Sequence, residues 1–178
     1  MSLSRKYERT YHYPFSPGTT SDDRINANYW EEVSALSKVV HTEKLDGENT
    51  CLNRYGVFAR SHAAPTRHPW ATYLKERWSS IKNDLGDLEI FGENLYAIHS
   101  IRYEELAHHF YVFAIRTLDQ WLSWEEVKFY AELLDFPTVP DIISIQPTKQ
   151  ELFEEQLLDI VKQRSVFASV DVHTEKAC

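Results

Sequence analysis

The sequence predicts an α+β domain built mainly on antiparallel sheets, with helices flanking them. Strand-like and helical segments are mixed along the chain without the regular alternation that parallel βαβ units produce. The pair Asp46-Gly47 separates two runs that could be strands, a pattern typical of a β-hairpin. Over residues 69–85 the apolar side chains recur with the spacing of a helix, so the pattern changes from strand to helix there.

The first 30 residues are predicted to be irregular because prolines, a glycine and polar side chains interrupt them. Strands are predicted over 38–44 and 49–55, joined by the Asp46-Gly47 turn, and over 57–60. Aromatic side chains are expected to hold the irregular segment against a core: Tyr7, Tyr11, Tyr13, Phe15, Tyr29 and Trp30.

Residues 69–85 are predicted to form an amphipathic helix that ends at Gly86. Two further strands are predicted over 89–95 and 109–118, and the second is apolar enough for the centre of a buried sheet. The predicted apolar face of the helix carries Trp70, Tyr73, Leu74, Trp78, Ile81 and Leu85.

Two later helices are predicted from capping boxes, in which a serine or threonine precedes a glutamate by three positions. Ser123 with Glu126 begins one of them, and Thr148 with Glu151 begins the other. A last strand is predicted over 166–172. Since no linker long enough to separate domains is evident, residues 1–178 are assigned to a single domain.

Composition indicates a folded globular protein, with 43% apolar and 13% aromatic residues among 178. No apolar run approaches the roughly 18 residues of a membrane span, so no membrane partner is expected. The two cysteines, Cys51 and Cys178, form neither a disulfide framework nor a metal site, which favours the reducing cytoplasm. A net charge of −8 argues against a uniformly basic nucleic-acid surface but is compatible with a local basic groove.

The segment from Thr42 to Asn49, Thr-Glu-Lys-Leu-Asp-Gly-Glu-Asn, is the most informative part of the chain. A lysine amine can attack a phosphoryl group, a nearby aspartate can orient it, and a glycine permits close approach of the backbone. Taken alone, this segment favours an exposed lysine at the end of a strand, and the nucleophile is favoured only together with the other segments. Three further segments follow in order: Phe58–Ser61, Glu89–Asn94 and Phe110–Ile115.

In this order the four segments resemble the motifs of the covalent nucleotidyltransferase superfamily, and most closely those of ATP-dependent RNA ligases of the RNA ligase 2 type. The resemblance covers roughly residues 5 to 175 and implies the adenylation domain fold of these enzymes. It implies that Lys44 attacks the α-phosphorus of ATP, releases pyrophosphate and carries AMP on its side-chain nitrogen. AMP would then pass to an RNA 5′-phosphate, and an RNA 3′-hydroxyl would displace it to seal the strand.

The resemblance also implies a nucleotide site. Thr42 is assigned to it, and Glu43 would accept a hydrogen bond from the adenine amino group, which would favour ATP over GTP. Asn49 and Arg60 would contact ribose or phosphate, and the planar fork of an arginine suits phosphate oxygens. Mg²⁺ is expected as the divalent cofactor because triphosphate charge must be neutralised and oxygen ligands suit a hard cation.

Two more residues are assigned by the same resemblance. Glu93 would hold the ribose or a metal-bound water, and Phe113 would stack on the adenine ring. These two residues and Arg60 each have a plain structural alternative: Glu93 could cap a turn, Phe113 could belong to the core, and Arg60 could be a surface arginine.

The family pattern also includes two motifs nearer the C-terminus, an acidic-glycine motif and a basic strand motif. Gly92 is the last glycine of the chain, so the acidic-glycine motif cannot follow it. The expectation is therefore a nucleotidyltransferase domain that stops before both motifs, with sealing by these 178 residues alone in question. The alternatives are an inactive fragment that binds nucleotide or RNA, and a DNA ligase or GTP-using capping enzyme.

Overall fold

The computed structural model describes residues 3–163 and 165–167, and the described chain divides into two compact units. The large-sheet unit comprises Met1–Tyr7, Asp46–Ser100 and Leu106–Val139. The small-sheet unit comprises Glu8–Leu45, Ile101–Glu105 and Pro140–Cys178. The assignment of the whole chain to a single domain stays a prediction.

The secondary structure mixes short strands with helices of up to 11 residues among the described residues. In chain order the elements are α1 (Tyr29–Val33), β1 (Val39–Thr42), β2 (Glu48–Asn53), β3 (Gly56–Phe58), a 3-10 turn (Pro69–Ala71), α2 (Thr72–Ile81), β4 (Leu88–Asn94), β5 (Phe110–Thr117), β6 (Gln120–Trp121), α3 (Trp124–Leu133), β7 (Asp141–Ile145) and α4 (Gln150–Ile160). No helix in the described part of the chain has both the length and the apolar character needed to cross a membrane.

The large-sheet unit is organised by an antiparallel sheet of five described strands in the order β3-β2-β4-β5-β6. Its main core joins side chains of the sheet with those of α2 and α3. The predicted apolar face is confirmed for Tyr73, Leu74, Trp78 and Ile81, which belong to this core or pack against it. Trp70 instead lies in the 3-10 turn before α2, and Leu85 joins the core from beyond the end of the helix. Regular helix stops at Ile81, earlier than predicted, and Gly86 takes a positive φ of 53°.

A second cluster of the large-sheet unit contains the buried residues Cys51, Phe58 and Phe91. Tyr7, Phe113 and Ala114 pack against it. We call these six residues the aromatic cluster. Since side chains alternate along a strand, the aromatic cluster and the main core occupy opposite faces of the sheet.

The small-sheet unit contains the antiparallel pair of β1 and β7 together with α1 and α4. Its core includes Tyr29, Ile145, Phe153 and Leu157, and other aromatic side chains from the N-terminal segment pack against them. The prediction that this segment is held by its aromatic residues is therefore confirmed for Tyr13, Phe15, Tyr29 and Trp30. It is wrong for Tyr11, which is 54% exposed.

The predicted hairpin at Asp46-Gly47 is wrong. β1 pairs with β7, whereas β2 pairs with β3 and β4. Gly47 is not among the described glycines with positive φ, so the pair cannot form the type I′ turn that this dipeptide favours. The strands themselves are confirmed at Val39–Thr42 and Glu48–Asn53, and their partners are set by contacts distant in sequence.

The two predicted capping boxes have different outcomes. At α3 the Glu126 backbone N–H donates to Ser123 Oγ at 3.4 Å, and the Ser123 N–H donates to Glu126 Oε2 at 2.8 Å, which confirms the first. The second is wrong, because α4 begins after Lys149 and no side chain caps it. The predicted strand over 166–172 lies, apart from its first two residues, outside the described residues.

Candidate active site

The segment from Thr42 to Lys44 extends from the end of β1 in the small-sheet unit. Thr42 is half-buried and lies opposite Asp141 in the β1–β7 pair. It lines a small apolar cleft with Tyr13, His41 and Leu157, and the volume of this cleft is about 50 Å³. Two residues further on, Lys44 is exposed and forms no hydrogen bond or ion pair with any described residue. Its amine is accessible, as a nucleophile requires.

Glu43 is almost completely buried, with 2% of its surface exposed. Its backbone N–H donates to the Pro140 carbonyl oxygen at 3.0 Å, which holds the chain next to β7. Its Oε1 accepts a hydrogen bond from Ser165 Oγ. Its Oε2 is buried and has no hydrogen-bond partner among the described residues.

An unpartnered acceptor in the protein interior is unfavourable. Leaving such a group unsatisfied costs about 1–3 kcal/mol, and more when the group is charged. A ligand that offers an N–H to Glu43 Oε2 would remove this cost. The exocyclic amino group of adenine has that chemistry, so the residue fits the predicted contact with the base.

Asn49 and Glu93 lie directly opposite each other where β2 pairs with β4 in the large-sheet unit. Asn49 is two residues from Cys51, and Glu93 is two residues from Phe91. Because side chains two positions apart lie on the same face of a strand, both predicted residues lie on the face of the aromatic cluster.

The turn before β2 is joined to Glu93. The Gly47 N–H donates to Glu93 Oε1 at 3.0 Å. The neighbouring Asp46 accepts through Oδ2 from the Ser100 N–H at 2.9 Å and also from the Ser100 hydroxyl. Glu93 and Asp46 therefore each use a carboxylate oxygen to hold the loop that follows Lys44 in the sequence.

Phe113 occupies an irregularity in the sheet. In the β4–β5 ladder Phe91 pairs with Ala114 and Gly92 pairs with Val112, which leaves Phe113 without an opposite residue. The half-buried ring meets the Tyr7 ring edge-on, with 5.0 Å between centroids. It is thus a member of the aromatic cluster that retains an accessible surface.

Arg60 follows β3 by two residues and is exposed. Its guanidinium has no hydrogen bond or ion pair with the described residues. The geometry therefore brings Asn49, Glu93 and Phe113 to one face of the large sheet and leaves Arg60 on a loop at the end of β3. The assigned roles of these residues remain predictions.

Two polar residues near the assigned ones had no role in the sequence analysis. Glu48 Oε1 is buried and has no hydrogen-bond partner among the described residues, although its position next to Asp46-Gly47 could have drawn attention to it. Ser165 lies 122 residues from Glu43, and a lone serine at that distance gives no signal in the sequence.

No described group of three or more histidine, cysteine, aspartate or glutamate side chains is arranged to hold a metal ion. Magnesium, the expected ion, is commonly held by one or two carboxylates together with substrate phosphates and water. Glu93, to which the sequence analysis assigned the ribose or a metal-bound water, is a carboxylate of the large sheet, and its Oε1 accepts from the Gly47 N–H.

The chain is similar to known RNA ligases. A family model described as RNA ligase matches residues 37–173. A search of curated proteins gave no match. An archaeal ATP-dependent RNA ligase has a similar structure, with a TM-score of 0.65 and 19% identity over 89% of this chain and 41% of that chain.

Structures of Naegleria gruberi RNA ligase are similar as well. A mutant with AMP and Mn gives a TM-score of 0.63 at 22% identity, covering 80% of this chain and 46% of that chain. The enzyme with PPi gives 0.57 at 24% identity, covering 76% and 44%. This chain therefore spans less than half the length of these ligases. The predicted α+β nucleotidyltransferase fold is confirmed, and because the family model covers most of the sequence, the chain belongs to the RNA ligase family.

Proposed function

We propose that this chain is the adenylate-forming part of an ATP-dependent RNA ligase and that Lys44 is its nucleophile. The observation that carries the proposal is the buried Glu43 carboxylate, which keeps one oxygen without a partner among the described residues and directly precedes an exposed lysine. Membership of the RNA ligase family supports the reaction class.

The proposed base contact explains a preference for ATP. Glu43 Oε2 accepts from the 6-amino group of adenine. Guanine has a carbonyl oxygen at the corresponding position, and two acceptors facing each other in a buried site repel. Phe113 stacks on the base through its accessible ring surface, since aromatic side chains and bases favour stacked contacts.

The other residues contact the sugar and phosphates. Asn49 and Glu93 lie opposite each other on one sheet face, where an amide and a carboxylate can hydrogen-bond ribose hydroxyls. Arg60 has a guanidinium without a described partner, and this group can hold two phosphate oxygens at once. Thr42 is the last residue of β1, two positions before Lys44, and we assign it to the same nucleotide site.

In the proposed reaction the neutral Lys44 amine attacks the α-phosphorus of ATP. A nitrogen–phosphorus bond forms, the bond from the α-phosphorus to the bridging oxygen breaks, and pyrophosphate leaves with that electron pair. The amine gives up its proton, and lysyl-AMP results. AMP then passes to an RNA 5′-phosphate, and the 3′-hydroxyl of a second RNA end displaces AMP to seal the strand.

We propose that the divalent cation is Mg²⁺, which would neutralise the charge of the triphosphate when bound. The Naegleria gruberi ligase was solved with ATP and Mn, which supports a divalent ion in this family. We also propose a cytoplasmic location. Cys51, the free cysteine among the described residues, is buried, which suits a reducing compartment.

Labelled nucleotide tests the proposal. The protein is incubated with ATP labelled at the α-phosphate and Mg²⁺ or Mn²⁺, denatured, and examined for retained label. Label is expected with the wild type and with Lys162→Ala, an exposed control lysine, and is expected to be lost in Lys44→Ala. Label from GTP instead would indicate a capping enzyme, and no label from either nucleotide would indicate a binding fragment. Nicked RNA and nicked DNA substrates then separate an RNA ligase from a DNA ligase.

A further inference from the structure

The Glu43 carboxylate is held by a residue from a distant part of the chain. Ser165 is 5% exposed, and its Oγ donates to Glu43 Oε1. Both residues belong to the small-sheet unit. The contact uses one of the two carboxylate oxygens and leaves Oε2 as the buried acceptor without a described partner.

The direction of this hydrogen bond follows from its partners, because a carboxylate oxygen accepts and the Ser165 hydroxyl donates. The Phe167 N–H donates to Ser165 Oγ at 3.3 Å. A serine hydroxyl has a single proton, and its oxygen can accept while that proton is donated elsewhere. The Ser165 hydroxyl therefore accepts from Phe167 and donates its proton to Glu43, so it is held from both sides.

The segment that carries Ser165 is itself anchored. The Phe167 carbonyl oxygen accepts from the backbone N–H groups of Glu104 at 2.8 Å and Glu105 at 3.4 Å. A hydroxyl fixed in this way holds a carboxylate in one rotamer, which a solvent-exposed partner would not do.

We infer that Ser165 is a positioning residue for nucleobase selection: it holds Glu43 with Oε2 directed as a single fixed acceptor, and so strengthens the preference for adenine over guanine. The inference rests on the proposed function, because Glu43 must meet the base. A carboxylate free to rotate could turn away from the guanine carbonyl, whereas a fixed one cannot.

A positioning role and a simple packing role predict different effects on the preference between ATP and GTP. Loss of a packing residue weakens binding of ATP and GTP alike through a general loosening of the site. Loss of a positioning residue raises the KM for ATP and reduces the penalty against GTP, so the ratio between the two nucleotides changes. The ratio is therefore the decisive quantity.

The test uses Ser165→Ala, which deletes the hydroxyl, and Ser165→Thr, which restores it. Ser34→Ala is the matched control, since Ser34 is an exposed serine of the same unit whose hydroxyl bonds only locally to Glu31. The rate of covalent labelling over a series of nucleotide concentrations gives the maximal rate constant and the half-saturating concentration, which serves as KM, with ATP and with GTP. Calorimetric titration with AMP and with GMP gives a readout that needs no covalent step.

In Ser165→Ala the preference for adenine is expected to fall about tenfold in both assays, the effect of one hydrogen bond to a charged group. Ser165→Thr and Ser34→Ala should keep the wild-type preference. If Ser165→Ala fails to fold, Ser165→Cys replaces it, because a thiol of similar size is a much weaker donor. The same fall in preference is expected.

The outcomes separate the two proposals. Equal losses with both nucleotides in a folded variant, or an unchanged ratio, overturn the role of Ser165. If the wild type forms no lysyl-AMP, the proposed function fails, and the titrations then decide the inference alone. A preference for AMP that Ser165→Ala weakens supports it, whereas absence of AMP binding by the wild type overturns it.

Discussion

Gly47 donates its backbone N–H to Glu93 Oε1 at 3.0 Å, so the turn after the Lys-Leu-Asp sequence is fixed to strand β4. The approach is close. A Cβ atom at position 47 would lie 2.5 Å from the Asn94 carbonyl oxygen and 2.6 Å from Leu95 Cδ2. The glycine is therefore required by packing against β4 and not by a left-handed backbone.

Gly47→Ala is expected to destabilise the protein by about 1–3 kcal/mol, because a backbone carbonyl cannot move aside as a flexible side chain can. The hydrogen bond to Glu93 should be lost with it. Urea unfolding measures the change in free energy. Gly18→Asn is the control, since position 18 has open space and asparagine tolerates its positive φ of 74°. Equal stability of Gly47→Ala and the wild type would contradict the packing argument.

The same glycine shows where sequence reasoning succeeds and where it fails. The need for a glycine next to Asp46 was predicted, and so were the strands on either side. The predicted hairpin was wrong because β1 and β2 find other partners, with β1 joined to β7 more than 90 residues later in the chain. The local preference for a turn contributes too little free energy to outweigh a long-range strand pair that buries Ile145 and partly buries Ile143.

Elements that the sequence did not predict lack local signals. The turn between β5 and β6 places Leu118 and Asp119 at positive φ values of 46° and 70° without a glycine. By contrast, the α3 capping box and the helical face of α2 are local patterns, and both were found. The candidate site follows the same rule: Asn49 and Glu93 lie in recognisable motifs, whereas Ser165 becomes visible only through its contact with Glu43.

Arg60→Lys tests the phosphate role of an exposed residue. We expect lysyl-AMP formation to fall at least about tenfold, because an ammonium cannot reproduce the bidentate contact of a guanidinium. Stability should be unchanged, since Arg60 has no partner among the described residues. Arg67→Lys, another exposed arginine on the following loop, is the matched control and should label like the wild type. Equal labelling by both variants would leave Arg60 as a surface arginine.

The ion pair of the half-buried Glu89 and the buried Arg116 should govern how part of the folding stability depends on acid pH. Arg116 donates to both carboxylate oxygens, from Nε at 2.8 Å and from an Nη at 3.1 Å, and Arg5 donates at 2.8 Å. Burial alone would raise the pKa of Glu89, but the hydrogen bonds and charges of the two arginines outweigh it and hold the pKa below its usual value.

A lowered carboxylate pKa stabilises the fold above the pKa of the unfolded chain, about 4.3, and this contribution disappears as the pH falls through the folded value. We expect Glu89→Gln to cost about 3 kcal/mol at pH 7, because Arg116 is left as a buried charge without its counterion. The difference from the wild type should shrink towards pH 3. Asp87→Asn breaks the exposed pair with Arg54 and should change little at either pH. A pH-independent cost for Glu89→Gln would contradict the linkage.

His41 should also make the free energy of unfolding depend on pH, over a milder pH range than Glu89 does. Burial in the small-sheet unit lowers the pKa of His41 to about 4. Its Nε2 shares a hydrogen bond with the Tyr13 hydroxyl at 3.0 Å, and Nδ1 is buried without a hydrogen-bond partner among the described residues. The folded protein therefore keeps this imidazole neutral at pH values where the unfolded chain protonates it.

As the pH falls, the unfolded chain is protonated at this histidine before the folded protein is. His41 therefore costs no stability above about pH 6.5, and the free energy of unfolding decreases as the pH falls from there to about 4. The loss from this one group should amount to about 3 kcal/mol. His41→Gln cannot be protonated, so its free energy of unfolding, measured in urea at a series of pH values, should fall less steeply over this range. His99→Gln, at an exposed position of the large-sheet unit, should retain the wild-type slope. If His41→Gln also retains it, burial of the imidazole does not control this part of the pH response.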